Sequence, residues 1–230
     1  MCRISTWGWL ESQTTRLITL SLNIEETSSA PTTSQLLSVL SSNPNLQDLE
    51  LSRGLVPDCG VSTSQIPLPD LKRIHLKGYP RNVLGLLNLL ELPDRMDEVR
   101  FFLDDCSKSD LSQTLGRYLG ALVRRRRRFQ EGLGLRVNPG GSRFHVFAGD
   151  VTELHGSTEV NWFVRVEATM RGGMPEAEEV GLLCSALIEQ LPSNEIVYLR
   201  TTARVLTLEG SCAGMTNIAR LHLDGRSVPT

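Results

Sequence analysis

The chain has 230 residues, 40% hydrophobic and 22% charged, which suits one globular domain or one continuous stack of repeats and not a disordered chain. Twenty-four Lys and Arg against twenty-six Asp and Glu leave a formal charge of −2, so the surface as a whole is no electrostatic trap for nucleic acid. No apolar run approaches the roughly eighteen residues of a membrane helix, and Met1–Leu10 has neither the apolar stretch nor the cleavage site of a secretory signal. These features point to an intracellular protein, cytoplasmic or nuclear, with no membrane segment.

In chain order, an apolar template recurs: one apolar residue, two others, an apolar residue, one other, an apolar residue. It fits Leu17, Leu20 and Leu22, then Leu46, Leu49 and Leu51, then Leu71, Ile74 and Leu76, then Met96, Val99 and Phe101. Near the far end it fits Ile218, Leu221 and Leu223. The anchors Leu20, Leu49, Ile74 and Val99 are 29, 25 and 25 positions apart, the period of a leucine-rich repeat. Each template predicts a strand with alternate residues on one face.

Between them the apolar spacing lengthens to that of a helix. One helix carries Leu36, Leu37, Val39 and Leu40, with Ser34 as its cap and Asn43-Pro44 as its stop; a second carries Val83, Leu86, Leu87 and Leu90 before Pro93. A third follows Ser109 with Leu111, Leu115, Leu119 and Leu122, and a fourth runs from Pro175 through Val180, Cys184, Leu187 and Leu191. Gly54–Asp70 reads as an irregular segment without a helix. The stretch 133–169 departs from the alternation: LGLRV, FHVFA and WFVRVEA read as strands joined by turns, with Asn138-Pro-Gly-Gly-Ser142 as a hairpin signal. EIVYL and RVLTL supply further strands before IARLHL, in a register that the closely spaced anchors leave open.

The segments SSNPNLQDLELSRG, PLPDLKRIHLKGY, LSQTLGRYLGALVRRRRR and MTNIARLHLDG resemble the leucine-rich region of F-box proteins, especially the multi-copy ones of mushroom-forming fungi. The resemblance spans most of the chain. It implies an α/β class: an irregular leucine-rich-repeat solenoid over residues 1–230, with a mostly parallel curved sheet, helices on the convex side and a β-hairpin insertion. Residues 1–16 would be a non-repeat lead-in and 133–169 the strand-rich insertion. It also implies a protein–protein interaction module, the substrate-recognition region of an SCF-type ubiquitin ligase. The family's adaptor-binding F-box has no counterpart between Met1 and Arg16, and the Asn or Cys that often follows a repeat strand is replaced by Glu25, Gly54, Tyr79, Asp104 and Arg226. Those departures favour an irregular horseshoe. They make a Skp-type adaptor a partner only if an F-box exists outside this chain, and leave a free-standing scaffold as the alternative. Because neither end offers a polar capping repeat, the chain is expected to be a fragment of a longer protein that self-associates when purified alone.

Aligning the four early repeats places Thr19, Asp48, Arg73 and Glu98 in one row, Ser21, Glu50, His75 and Arg100 in the next, and Asn23, Ser52, Lys77 and Phe102 in a third. The first row sets opposite charges side by side, and Glu50, His75 and Arg100 can pair in the second. Such rows can simply stabilise the sheet through cross-strand pairs. They can equally form a docking face for a protein target, for which Asp48, Glu50, Arg73, His75, Lys77, Glu98, Arg100 and Phe102 are the candidate contacts.

Arg124, Arg125, Arg126, Arg127 and Arg128 end the third predicted helix, where cations complement the dipole; a nuclear-import signal or a phosphate patch is the alternative. Nucleic acid is disfavoured because three Tyr, three Trp and six Phe are scattered too widely for a stacking platform. The histidines His75, His145, His155 and His222 and the cysteines Cys2, Cys59, Cys106, Cys184 and Cys212 have no metal-ligand spacing, so neither a metal, a cofactor nor a disulfide framework is expected. Asp104 and Asp105 read as helix caps, Gly132-Leu-Gly134 is no dinucleotide fingerprint, and Gly116 and Gly120 permit close packing. With no G-x-S-x-G, H-E-x-x-H or Walker loop, the reading is a binding protein without catalysis.

Overall fold

The computed structural model describes residues 16–23, 32–52, 65–107, 132–140, 143–154, 157–171, 191, 196–202 and 218–224. The predicted helices after Ser109 and Pro175, the Arg124–Arg128 run, the RVLTL strand, Gly116 and Gly120, His155 and every cysteine except Cys106 lie outside those residues, as does the side chain of His222. The fold is α/β with mainly parallel strand pairing, in two compact units, 1–102 and 103–230.

In the first unit, strands β1 (Thr19–Asn23), β2 (Asp48–Ser52), β4 (Arg73–Gly78) and the start of β6 (Glu98–Cys106) lie side by side in that order. The predicted alignment is the observed one: Leu20, Leu49 and Ile74 are register partners, and so are Thr19, Asp48 and Arg73, and Ser21, Glu50 and His75. One hydrogen-bond pattern recurs at each strand entry. Gln47 N and Asp48 N both donate to Ile18 O (2.8 and 3.1 Å), Lys72 N and Arg73 N to Gln47 O (2.8 and 3.0 Å), and Asp97 N and Glu98 N to Lys72 O (2.8 and 3.2 Å). The chain therefore advances by one strand per repeat, and each strand buries its leucine-type positions on one face.

Two helices close that face. Helix α1 (Thr33–Ser41) buries Leu36, Leu37, Val39 and Leu40, and α2 (Pro80–Asn88) buries Val83, Leu84, Leu86 and Leu87. The cap of α1 is Thr32, not the predicted Ser34: Gln35 N donates to Thr32 Oγ1 at 3.2 Å and Thr32 N to Gln35 Oε1 at 3.1 Å, a reciprocal capping box that starts the helix at Thr33. Pro80 opens α2, where its missing N–H costs nothing. That helix ends before Leu90, which instead begins a two-residue strand, β5 (Leu90–Glu91), paired in parallel with β3 (Ile66–Pro67). Residues 65–70, the described end of the Gly54–Asp70 segment, thus supply one strand of a short second sheet.

After α1, Asn43 is 1% exposed; its Oδ1 accepts from Leu17 N (2.8 Å) and its Nδ2 donates to Val39 O (2.8 Å), tying the helix exit to the entry of β1. Pro44 then prevents the helix from continuing.

In the second unit the order is β9 (Ser157–Met170), β8 (Arg143–Leu154), β7 (Leu133–Gly140), β10 (Ile196–Thr202), β11 (Arg220–Asp224). The strand-rich stretch 133–169 forms the expected three strands, β7–β9, an antiparallel meander whose first turn lies at the predicted hairpin. It is also integral to the sheet, because β7 pairs in parallel with β10, and β10 with β11. The open register after residue 190 resolves as Tyr198 opposite Arg220 and Leu199 opposite Leu221. Leu133, Leu135, Val137, Phe144, Val146, Val164, Val166, Ile196 and Leu199 are buried along one face. Buried Thr201 donates its hydroxyl to Val137 O at 3.1 Å.

Asp105 adopts φ 57°, a left-handed conformation that Asp tolerates better than most residues, and its carboxylate holds Arg171 (Nη2 to Oδ2, 2.7 Å). It is an ion-pair partner at a strand end, and the helix it is expected to cap lies outside the described residues, while Gly132 leads into β7, a strand.

Replacing Asn43 by Ala leaves Leu17 N–H and Val39 C=O without their partner in the interior and should lower stability by about 1–3 kcal/mol. A reduced urea midpoint with an unchanged slope is the expected result.

Candidate functional site

Strands β2, β4 and β6 turn their polar alternates away from the core. Between them lies a groove of about 270 Å³ lined by Glu50, Ser52, His75, Lys77, Arg100 and Phe102, with backbone contributions near Leu51 and Leu76. All six side chains belong to the second and third predicted rows, so the structure brings most of the predicted contacts into one concavity.

The first row behaves as expected over β1–β4. Arg73 grips Asp48 with two nitrogens, Nη2 lying 2.8 Å from Oδ2, and Thr19 Oγ1 donates to the same carboxylate at 3.2 Å. The Arg73 hydrogen bonds hold the Asp48 carboxyl below its ordinary pKa. Arg73 is largely exposed, so the pair is worth little to stability.

The second row departs from expectation. Glu50 takes the hydroxyl of Ser21 (2.9 Å) instead of pairing with His75. His75 and Arg100 both turn to Glu98 of the first row: His75 Nε2 lies 3.0 Å from Oε2, and Arg100 Nε donates to Oε1 at 2.6 Å. A carboxylate with two oxygens can serve two donors at once, and Glu98 sits diagonally between them. Partial burial pushes the Glu98 carboxyl up, but the hydrogen bonds from His75 and Arg100 outweigh it and leave its pKa lowered. Glu50 and Lys77 remain at the groove with no carboxylate–cation pair between them among the described residues, beside the half-buried ring of Phe102.

The opposite-unit counterpart is different in kind. On the polar face of β7–β10, Phe147 has Arg136 and Arg165 guanidiniums 5.3 and 5.6 Å from its ring centre. His145 lies parallel to Phe147 at 6.4 Å, Trp162 meets Phe147 edge-on at 6.0 Å, and Tyr198 meets Trp162 at 6.4 Å. Four rings that are dispersed in the sequence therefore form one chain across the sheet, a proximity that their spacing in the sequence does not show. Glu167 binds Arg165 and lies 3.6 Å from His145. Burial lowers the His145 pKa, and Arg165, Arg143 and Arg136 add to that against the opposing charge of Glu167.

Two glycines lie beside the ring chain. Gly134 of β7 and Gly149 of β8 are register partners, and a Cβ on Gly149 would lie 2.5 Å from Asn161 O, one on Gly134 2.6 Å from a Val160 methyl. Trp162 is opposite Gly149 and Tyr198 opposite Gly134, and the room that the missing side chains leave is taken by Val160. The strict register pairing of an aromatic with a glycine on the neighbouring strand was the signal available in principle, but it can be read only once the pairing is known.

Among the described residues no cluster of three or more His, Cys, Asp or Glu is placed to hold a metal, Cys106 is a buried free thiol, and no helix is long and apolar enough to cross a membrane. Comparison with protein families, with curated proteins and with solved structures finds no match.

Asp48 and Glu98 bind protons less readily folded than unfolded, so their contribution is complete above about pH 4.5 and is lost on acidification. Urea midpoints should fall below that pH, and Glu98→Gln should flatten the fall. His145 is likewise depressed, so a separate loss should begin as pH drops through about 6.5 and be absent in His145→Gln.

Proposed function

We propose that the chain is an irregular leucine-rich-repeat scaffold that holds a protein partner on the polar face of its first unit. The observation that carries this reading is the groove over β2, β4 and β6, lined by Glu50 of β2, by Lys77 of β4, which is the register partner of Ser52, and by Phe102 of β6. The ion pairs beneath them, Asp48 with Arg73 and Glu98 with His75 and Arg100, fix neighbouring side chains before a partner arrives, which lowers the entropy cost of binding. An unlike pair of charges beside an aromatic ring suits a polar partner segment with one apolar anchor, the arrangement of a small interface centre.

The 25-residue strand spacing and the recurring entry hydrogen bonds support the repeat class. Through the resemblance of the sequence to F-box proteins, the partner would be a target presented to an SCF-type ligase. Purified Skp-type adaptor separates the two forms of the proposal: binding to the full protein supports ligase coupling, and its failure favours a free-standing scaffold.

For a partner found by crosslinking to the intact chain, Phe102→Ala with Lys77→Glu should weaken the measured Kd by more than about tenfold, the scale of a truncated interface anchor. Unchanged affinity in a variant that melts like wild type would remove this groove as the docking site.

A further inference from the structure

The polar face of the second unit has a charge balance unlike that of the first. β7 contributes Arg136, β8 Arg143, β9 Arg165 and β10 Arg200, and among the described side chains that these strands turn to this face Glu167 is the single carboxylate. Arg136 and Arg200 are direct register partners on neighbouring strands. Arginine carries five N–H donors, so guanidiniums gathered on one face can hold partners within the sheet and still offer donors to an anion lying across the strands. With strands about 4.8 Å apart, Arg200, Arg136 and Arg165 span about 15 Å perpendicular to the strands, the direction in which an extended polyanion would have to run.

The rings lie in the same place. Arg136 and Arg165 lie over Phe147, and although Arg165 also binds Glu167, the five-donor fork of each guanidinium suits the oxygens of phosphate and carboxylate. Trp162, Tyr198 and His145, all half-buried, carry the aromatic surface beyond Phe147 on either side. We infer that the polar face of β7–β10 binds single-stranded nucleic acid, with Arg136, Arg143, Arg165 and Arg200 on phosphates and Trp162 and Tyr198 against bases. An acidic protein segment would satisfy the arginines, but it makes no use of a continuous chain of rings, whereas every base has a face to stack. The overall charge of −2 does not oppose this, because recognition depends on the local field, and among the described side chains of this face four arginines stand with one carboxylate.

The test is fluorescence anisotropy of fluorescein-labelled dT12 with the full chain. If four phosphates are neutralised, log K should fall with log salt at a slope of about −3, so that raising NaCl from 50 to 200 mM weakens binding about 50-fold. Arg136→Glu with Arg165→Glu should cost more than tenfold at fixed salt. Arg143→Glu, at an exposed position, should cost severalfold and gives the same answer should the double variant not fold. In a Trp7→Phe, Trp9→Phe chain, Trp162 is the remaining indole, and its emission should be quenched by dT12. No binding at 50 mM NaCl, binding undiminished in both Arg136/Arg165 and Arg143 variants, or unchanged Trp162 emission would each overturn the inference. So would displacement by poly-glutamate at equal charge concentration, which would make the face a site for acidic protein segments.

Discussion

The structure of the first unit depends on the register of its parallel strands. Side chains alternate along a strand, so a slip of one residue between β2 and β4 would expose Ile74 and Leu76 and bury Arg73 and His75. The repeated bonds from residues 47, 72 and 97 to the carbonyl of the preceding repeat set that register at each strand entry. Everything functional follows from it, because the same bonds that direct leucines to the helices direct the charged alternates into rows. The capping box at Thr32 and the Asn43 bridge belong to the same constraint: each fixes where a helix starts or stops, and hence where the next strand can begin.

The two units use arginine in opposite ways. In the first, each described arginine on the strand face has a carboxylate in contact, Arg73 with Asp48 and Arg100 with Glu98, and the face is close to self-neutralising. In the second, arginines rest on an aromatic ring and outnumber the carboxylates around them. The first arrangement holds side chains still and leaves specificity to the few groups beside them. The second sets two guanidiniums against one ring, an arrangement that the inferred anionic partner would complete. Two surfaces with such different electrostatics would respond to salt in different degrees, strongly for the second and weakly for the first.

Much of this was legible in the sequence where structure is local or strictly periodic. The strand template located β1, β2, β4, β6 and β11, and the 25-residue interval predicted which residues would be neighbours across the sheet. The predicted Ser34 cap failed because a serine, a threonine and a glutamine within a few positions all suit a helix start, and the choice is decided by Gln35 reaching back to Thr32. The pairing of Glu50 with His75 failed because alignment in rows ignores diagonal reach, which lets Glu98 serve both His75 and Arg100. The aromatic chain was illegible for a different reason. His145, Phe147, Trp162 and Tyr198 span more than fifty positions, and only the return of β10 to pair beside β7 brings the last of them to the others.

The facing glycines at 134 and 149 give that chain a peculiar vulnerability. Neither carries a group that could touch a ligand, yet each leaves room that Val160 fills. A single added methyl at either position would press on Val160 or on the Asn161 carbonyl, and Trp162 follows Asn161 directly in the chain. The surface could thus be lost over generations without any change in its charges or aromatics, through two positions that look like ordinary strand interior. Inventories of contact residues would miss this route, since what the site requires there is the absence of an atom.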